Sequence, residues 1–152
     1  MIALSLHDFQ RNGALLKAEF ADDLPPVSCD RVQLQQVILN LLRNATDAMV
    51  SVEDRQRQLL VRTEREGNAH VRVTVRDTGV GLDRQSIEKL FDAFYTTKVG
   101  GMGIGLSVSR SIIERHHGRL WAEPNNGPGS TFSFSIPWGA EGAATAAATR
   151  VL

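Results

Sequence analysis

The sequence predicts an α+β fold, a two-layer sandwich in which about five strands form a sheet covered by helices. Three stretches point there. Asp30 to Met49 repeats apolar residues at helical spacing. Val71, Val73 and Val75 alternate with Arg72, Thr74 and Arg76 at strand spacing, and Phe132, Phe134 and Ile136 alternate in the same way with Thr131, Ser133 and Ser135. A chain of 152 residues suits one domain, able to bury roughly 70% of its unfolded surface.

Taken in order, residues 2–12 predict a short helix and Ala14 to Phe20 a strand. His7 and Asp8, close to the start of the chain, suit a surface position. Asp30 followed by Gln33 is a helix start in capping-box style, just past Pro25-Pro26. From there Leu34, Val37, Ile38, Leu41, Leu42, Ala45, Ala48 and Met49 fall on one broad face at about 100° per residue. Gln58–Arg65 and His70–Asp77 predict a hairpin around Glu66-Gly67-Asn68. Asp83 predicts the cap of a short helix from Arg84 to Phe91. Ile104 to His117 predicts a second long helix, with Leu106, Val108, Ile112 and Ile113 mostly on one side. Strands follow at Arg119–Glu123 and Thr131–Pro137. The Ala-Gly-Thr-rich residues 139–152 predict a disordered tail, outside a domain spanning 1–138.

Composition excludes several classes of function. Lys plus Arg and Asp plus Glu each total 17, so no global field draws the chain to nucleic acid or to an anionic membrane. Cys29 is the only cysteine, which rules out an internal disulfide and a cysteine-rich zinc site. No apolar run approaches the roughly 20 residues of a membrane span, and the start of the chain lacks a signal-peptide pattern. A cytoplasmic location is the expectation. Met1 opens directly into helix-like sequence, as a piece of a larger protein would.

Three features carry candidate chemistry. Gln33, Gln36, Asn40, Asn44 and Asp47 form a narrow stripe beside the apolar face of the Asp30–Met49 helix. A solvated stripe favours Glu, Lys and Arg, whereas Asn costs roughly 0.6 kcal/mol against Ala in a helix. The Asn pair either caps a neighbouring loop or offers amide oxygens to a hard cation and amide nitrogens to an anion. Asp77 shares the parity of the three valines, so a carboxylate continues the apolar face, followed by Thr78-Gly79-Val80-Gly81. It either caps that turn or accepts from a purine amino group inside an apolar pocket. Lys98 precedes Gly100-Gly101-Met102-Gly103-Ile104-Gly105-Leu106, where four glycines in six residues predict a mobile loop. The loop is either flexible packing or an anion site at a helix N-terminus. The P-loop is excluded, because no Gly-Lys-Ser/Thr ending occurs. The dinucleotide fingerprint fails too, since Leu106 stands where a third Gly or Ala is needed. His116 and His117 end a helix, where cations are favoured, and suit a structural role.

In this order the pieces resemble the catalytic ATP-binding domain of sensor histidine kinases. That domain has the Bergerat fold, a mixed sheet with helices packed on one face, shared with gyrase, mismatch-repair ATPases and heat-shock chaperones. The resemblance covers roughly residues 14–138, and the wording FYTTK–GMGIGLSVSRSIIERHHGRLWAEPN is similar to the FixL/NtrB type. It implies that Asn40 and Asn44 belong to the N-box, with Asn44 a magnesium ligand and Arg43 at its edge touching a phosphate. Asp77 becomes the adenine-reading carboxylate, and Gly79 and Gly81 complete the first glycine box. Phe91 and Phe94 mark the F-box, and Lys98 sits at the lid. Gly101, Gly103 and Gly105, with Leu106, form the second glycine box, and Thr131 after Gly129 lies near the adenine. Asn40, Asn44 and Lys98 are the implied catalytic residues, and ATP and Mg2+ the implied cofactors.

Two departures qualify the resemblance. Related ATPases carry a Glu at the position of Asn40, and an amide cannot accept a proton from water at neutral pH. That favours kinase over hydrolase. No helical hairpin fits between His7 and Asn40, so His7 is not the phospho-acceptor of such kinases. The implied function is donation of the ATP γ-phosphoryl to a histidine on a separate dimerisation domain, with a response-regulator receiver domain as the indirect partner. A serine kinase of the anti-sigma type and a nucleotide-binding interaction module without phosphotransfer are the alternatives.

Overall fold

A computed structural model describes residues 14–22, 24–25, 27–85, 87–92, 105–138 and 148–149. The expected helix over residues 2–12 lies outside them. Strands β1 (Leu15–Phe20), β3 (Gln58–Glu66), β4 (His70–Asp77), β6 (Ser130–Pro137) and β5 (Arg119–Pro124) form one sheet in that spatial order. The sheet is mixed: β1 runs parallel to β3, with Leu15 opposite Gln58, and the other pairs are antiparallel. A short antiparallel pair joins β2 (Val27–Ser28) to β7 (Ala148–Thr149), so two residues of the tail expected to be disordered are described as strand.

Helix α1 (Arg31–Met49) begins where its cap predicts. The Asp30 carboxylate accepts the Gln33 N–H at 3.1 Å while Asp30 itself stays extended. Its apolar face buries Leu34, Val37, Ile38, Leu41, Leu42, Ala45 and Met49 against Val71, Val73 and Val75 of β4 and Phe132, Phe134 and Ile136 of β6. Each of these side chains larger than Ala45 contributes about 1.5–3 kcal/mol relative to exposure. Past the helix end, the Arg57 guanidinium donates to the carbonyls of the C-cap Val50 and of Val52 at 2.8 and 3.0 Å, which ties down the chain where it leaves the helix.

Helix α2 (Gly105–Arg115) packs on α1 and on β5 and β6, so both helices cover one sheet face. It ends in a Schellman motif: Gly118 N–H reaches the Ile113 carbonyl at 2.9 Å and His117 N–H the Glu114 carbonyl at 3.0 Å. His117 takes the left-handed position, φ 61°, at a cost on the order of 1 kcal/mol for a non-glycine residue. Gly118 is needed there because a Cβ would overlap the Ser135 carbonyl. His116 Nδ1 lies 2.8 Å from the Ile112 carbonyl and Nε2 accepts the Asp30 N–H at 3.0 Å. Both bonds are satisfied by the tautomer with its proton on Nδ1, which ties the end of α2 to the start of α1. The two histidines are structural.

Three local expectations are corrected. In the segment expected as a helix from Arg84 to Phe91, the described residues hold a single 3-10 turn, Ile87–Lys89. Asp83 does accept a backbone N–H, from Gln85 two residues on, but no α-helix is described after the turn it closes. On α2 the buried positions are Ser109, Ile112 and Ile113, whereas Val108 is exposed. Strand β6 is buried on both faces, not one: Ser133 and Ser135 are covered as well. Arg72 on β4 reaches over β6 to within 5.2 Å of the Trp121 ring on β5, and Arg119 stacks on the same ring at 4.4 Å. These large side chains roof the serines between them.

Candidate functional site

The site grows from the C-terminal half of α1. A helix rises about 1.5 Å per residue, so Asn40, Asn44 and Ala48 mark three points spaced about 6 Å apart along one line. At the first point the Asn40 amide nitrogen donates to the Gly105 carbonyl at 3.2 Å and to Ser109 Oγ at 3.1 Å. Ser109 is fully buried and donates in turn to the Gly105 carbonyl at 2.8 Å. The first turn of α2 is therefore fastened to α1 by a closed polar triangle. Gly105 itself is exposed, and Leu106 packs partly buried against the core.

At the third point the Ala48 carbonyl accepts the Val80 N–H at 3.0 Å. Gly79 lies so close that a Cβ would overlap the Ala48 carbonyl, and Gly81 holds φ at 83° beside Gly129. Both glycines of the Thr78-Gly79-Val80-Gly81 turn are thus required by the backbone, one for space and one for conformation.

Asp77 ends β4 with no exposure to solvent. Its Oδ1 accepts the Gly79 N–H at 2.8 Å and the Ser130 N–H at 3.3 Å, and its Oδ2 accepts the Ser130 hydroxyl at 3.1 Å. Burial pushes the carboxyl above the ordinary carboxylate range, and those three bonds oppose the shift. A carboxylate has about four acceptor sites. Three are filled here, and one is left for an N–H donor that would be read without competing water.

Ser130, and not Thr131, faces Asp77. Thr131 donates to Asn125 Oδ1 at 2.6 Å on the other side of the strand. Strand parity carries this signal, since Ser130 shares the face of Phe132 and Phe134. Asn125 is the second residue that sequence reasoning passed over. Its amide nitrogen donates to the Asp77 carbonyl at 2.9 Å and the Pro128 carbonyl at 3.0 Å, which folds the β5–β6 turn onto the end of β4. Gly129 closes that turn at φ 93°, so near Asp77 that a Cβ would overlap its carbonyl.

Asn44 is half-buried, and among the described residues no group bonds its amide. Arg43 beside it is exposed. Phe91 packs partly buried on the core, and Arg110 of α2 lies 5.7 Å from its ring. Phe94, Lys98, Gly101 and Gly103 fall outside the described residues. The site thus joins Asn40, Asn44, Asp77, Gly79, Gly81 and Gly105 around the end of α1, with Thr131 turned aside.

No group of three or more His, Cys, Asp or Glu able to hold a metal occurs among the described residues. A single uncommitted amide oxygen suits magnesium, which keeps several waters and takes its other ligands from substrate phosphates. No described helix is long and apolar enough to cross a membrane.

Residues 29–140 match the model of the histidine kinase-, DNA gyrase B- and HSP90-like ATPase family. The sensor protein FixL of Bradyrhizobium diazoefficiens is 44% identical over 135 residues, which are 89% of this chain and 26% of FixL. The chain thus spans about a quarter of that relative. The catalytic domain of histidine kinase ThkA superposes with a TM-score of 0.78 at 31% identity, covering 90% of this chain and 88% of that domain. ThkA in complex with the response regulator protein TrrA superposes with a TM-score of 0.73 at 29% identity, covering 91% of this chain and 38% of ThkA. Fold and kinship agree: the chain belongs to the histidine kinase-, DNA gyrase B- and HSP90-like ATPase family, and within it to the catalytic domains of histidine kinases.

Proposed function

We propose that this domain binds Mg-ATP and donates the γ-phosphoryl to a histidine on a separate dimerisation domain, from which a response-regulator receiver takes it. The observation that carries the reading is the buried Asp77 carboxylate with one acceptor site unfilled, beside a turn whose two glycines hold the backbone against Ala48 and Gly129. Asp77 accepts from the adenine amino group, Ser130 holds the carboxylate still, and Asn44 offers its amide oxygen to the metal. Magnesium, when bound, neutralises charge on the phosphates and stabilises the in-line transfer. Lys98 and Arg43 add positive charge near the phosphates. Use of ATP fits a cytoplasmic location for the domain.

The nucleophile comes from outside the site. Asn40 occupies the place of a water-activating base, its amide nitrogen is committed to α2, and an amide oxygen does not take a proton at neutral pH. Loss of a general base costs about 10²–10⁴-fold in rate, so ATP hydrolysis should be slow. Incubated alone with γ-labelled ATP, the chain should acquire no appreciable acid-labile label. A separately supplied dimerisation hairpin should become labelled, at a rate limited by encounter. Strong acid-labile label on the chain alone, or rapid phosphate release, would overturn this assignment. Acid-stable label on a protein partner would favour a serine kinase instead.

Asn44→Ala should abolish the gain in ATP affinity that magnesium gives, while affinity measured without magnesium stays close to that of the unsubstituted chain. Calorimetric titration with and without the metal makes the comparison. An undiminished magnesium effect would remove Asn44 as the ligand.

A further inference from the structure

We propose that Arg55, on the loop between α1 and β3, is the positioning residue for the base-reading carboxylate, holding the glycine turn from behind. The proposal rests on the nucleotide reading above. Arg55 Nε donates to the Thr78 carbonyl at 3.1 Å and Nη2 to the Gly79 carbonyl at 2.7 Å. These are consecutive carbonyls of the turn, gripped by one planar fork.

The first bond acts directly on Asp77. The Thr78 carbonyl and the Gly79 N–H are the two ends of one peptide unit. Arg55 draws on the oxygen, and the N–H donates to Asp77 Oδ1 at 2.8 Å. A guanidinium at the carbonyl end polarises the peptide and makes its N–H a stronger donor. The second bond acts on the next peptide, whose other end, the Val80 N–H, is held by the Ala48 carbonyl. Both peptides of the turn are therefore fixed at both ends.

The same loop takes a third hold. The Thr78 hydroxyl accepts the Gln58 N–H at 2.9 Å and donates to the Gln56 carbonyl at 3.2 Å. Arg55 also carries Asp54 on its exposed side at 3.3 Å. Every group bonded to the Asp77 carboxylate is neutral, namely the Gly79 N–H, the Ser130 N–H and the Ser130 hydroxyl. Arg55 thus brings a positive charge to the buried carboxylate through a peptide rather than by contact. Lysine, a point charge without the fork, cannot hold both carbonyls in this geometry.

The test compares Arg55→Met and Arg55→Lys with the unsubstituted chain. The Asp77 carboxyl and Gly79 amide are followed by NMR in nucleotide-free protein, and ATP binding by calorimetry across pH. Arg55→Met should weaken ATP binding about tenfold, the loss typical of one charge-assisted bond, and Arg55→Lys should fall between. The ratio of affinities with and without magnesium should stay unchanged, because the adenine end is disturbed and the phosphate end is not. The Asp77 titration and the acid limb of ATP binding should both move to higher pH. Weaker binding with the Asp77 titration unmoved would mean a merely structural role and overturn the proposal, as would unchanged binding. Should Arg55→Met fail to fold, Arg55→Lys carries the same comparison. Should the unsubstituted chain bind no ATP, the nucleotide reading fails separately. The Asp77 titration in nucleotide-free protein then decides, with a shift supporting the brace and no shift overturning it.

Discussion

Asp77→Asn is expected to lose about 1–3 kcal/mol of ATP affinity while melting at the same or a higher temperature than the unsubstituted chain. The two effects have one origin. The Asn oxygen can accept the Gly79 and Ser130 N–H groups, and its nitrogen can donate to the Ser130 hydroxyl after that hydroxyl turns. The nucleotide-free network then stays satisfied, but a donor faces adenine's own donor. For stability the sign follows from the raised pKa of Asp77. The folded chain holds that proton more tightly than the unfolded chain. The carboxyl's contribution is therefore fully present below the ordinary carboxylate pKa and lost as pH rises through the raised one. At neutral pH the ionised side chain is a cost that the amide does not carry. Melting curves at acid and neutral pH beside ATP and GTP titrations check both halves. Equal binding of ATP and GTP by the unsubstituted chain, or a melting temperature far lower in Asp77→Asn, would contradict the assignment.

Gly129→Ala is expected to be the most damaging glycine substitution among those described, at on the order of 3–4 kcal/mol. Its φ of 93° disfavours any side chain, and the new methyl would overlap the Asp77 carbonyl that Asn125 also holds. Gly127, two residues earlier in the same turn, has open space around a Cβ and no positive φ. Gly127→Ala should therefore change stability by less than about 0.5 kcal/mol. Urea denaturation of the pair separates loop flexibility from close approach. Equal losses would show that the turn is not pressed against β4 as described.

What was legible in the sequence was what repeats. The period of α1, its Asp30 cap and the alternation of β4 appear where pattern placed them, because each buries one face against the other layer, whereas β6 lies where its pattern put it but is covered on both faces. The placement of Asp77 followed from the same parity. Parity applied to one more residue would have selected Ser130 over Thr131. The failures have physical causes of another kind. The 84–91 stretch has helix formers and a capping residue, yet none of its described residues is fully buried, Ile87, Leu90 and Phe91 being covered only in part, and propensity alone does not sustain a helix so short. The covering of Ser133 and Ser135 depends on Arg72 and Trp121 arriving from other strands. Arg55 and Asn125 sit in polar segments without period, and their roles exist only once the chain has brought a distant carbonyl to them.

The Asp77–Ser130 contact joins residues 53 apart in the chain, whereas the β3–β4 hairpin closes over Gly67, Asn68 and Ala69 alone. Loop closure over the longer span costs about 2–3 kcal/mol more in chain entropy. The hairpin can form early, whereas the joint proposed to read the nucleotide waits, like every β4–β6 pair, for the longer closure. A nucleotide bound there, as proposed, would grip contacts that an early hairpin does not contain. Where the transition state lacks them too, it would lengthen the life of the folded domain by slowing escape and leave the speed of arrival nearly untouched.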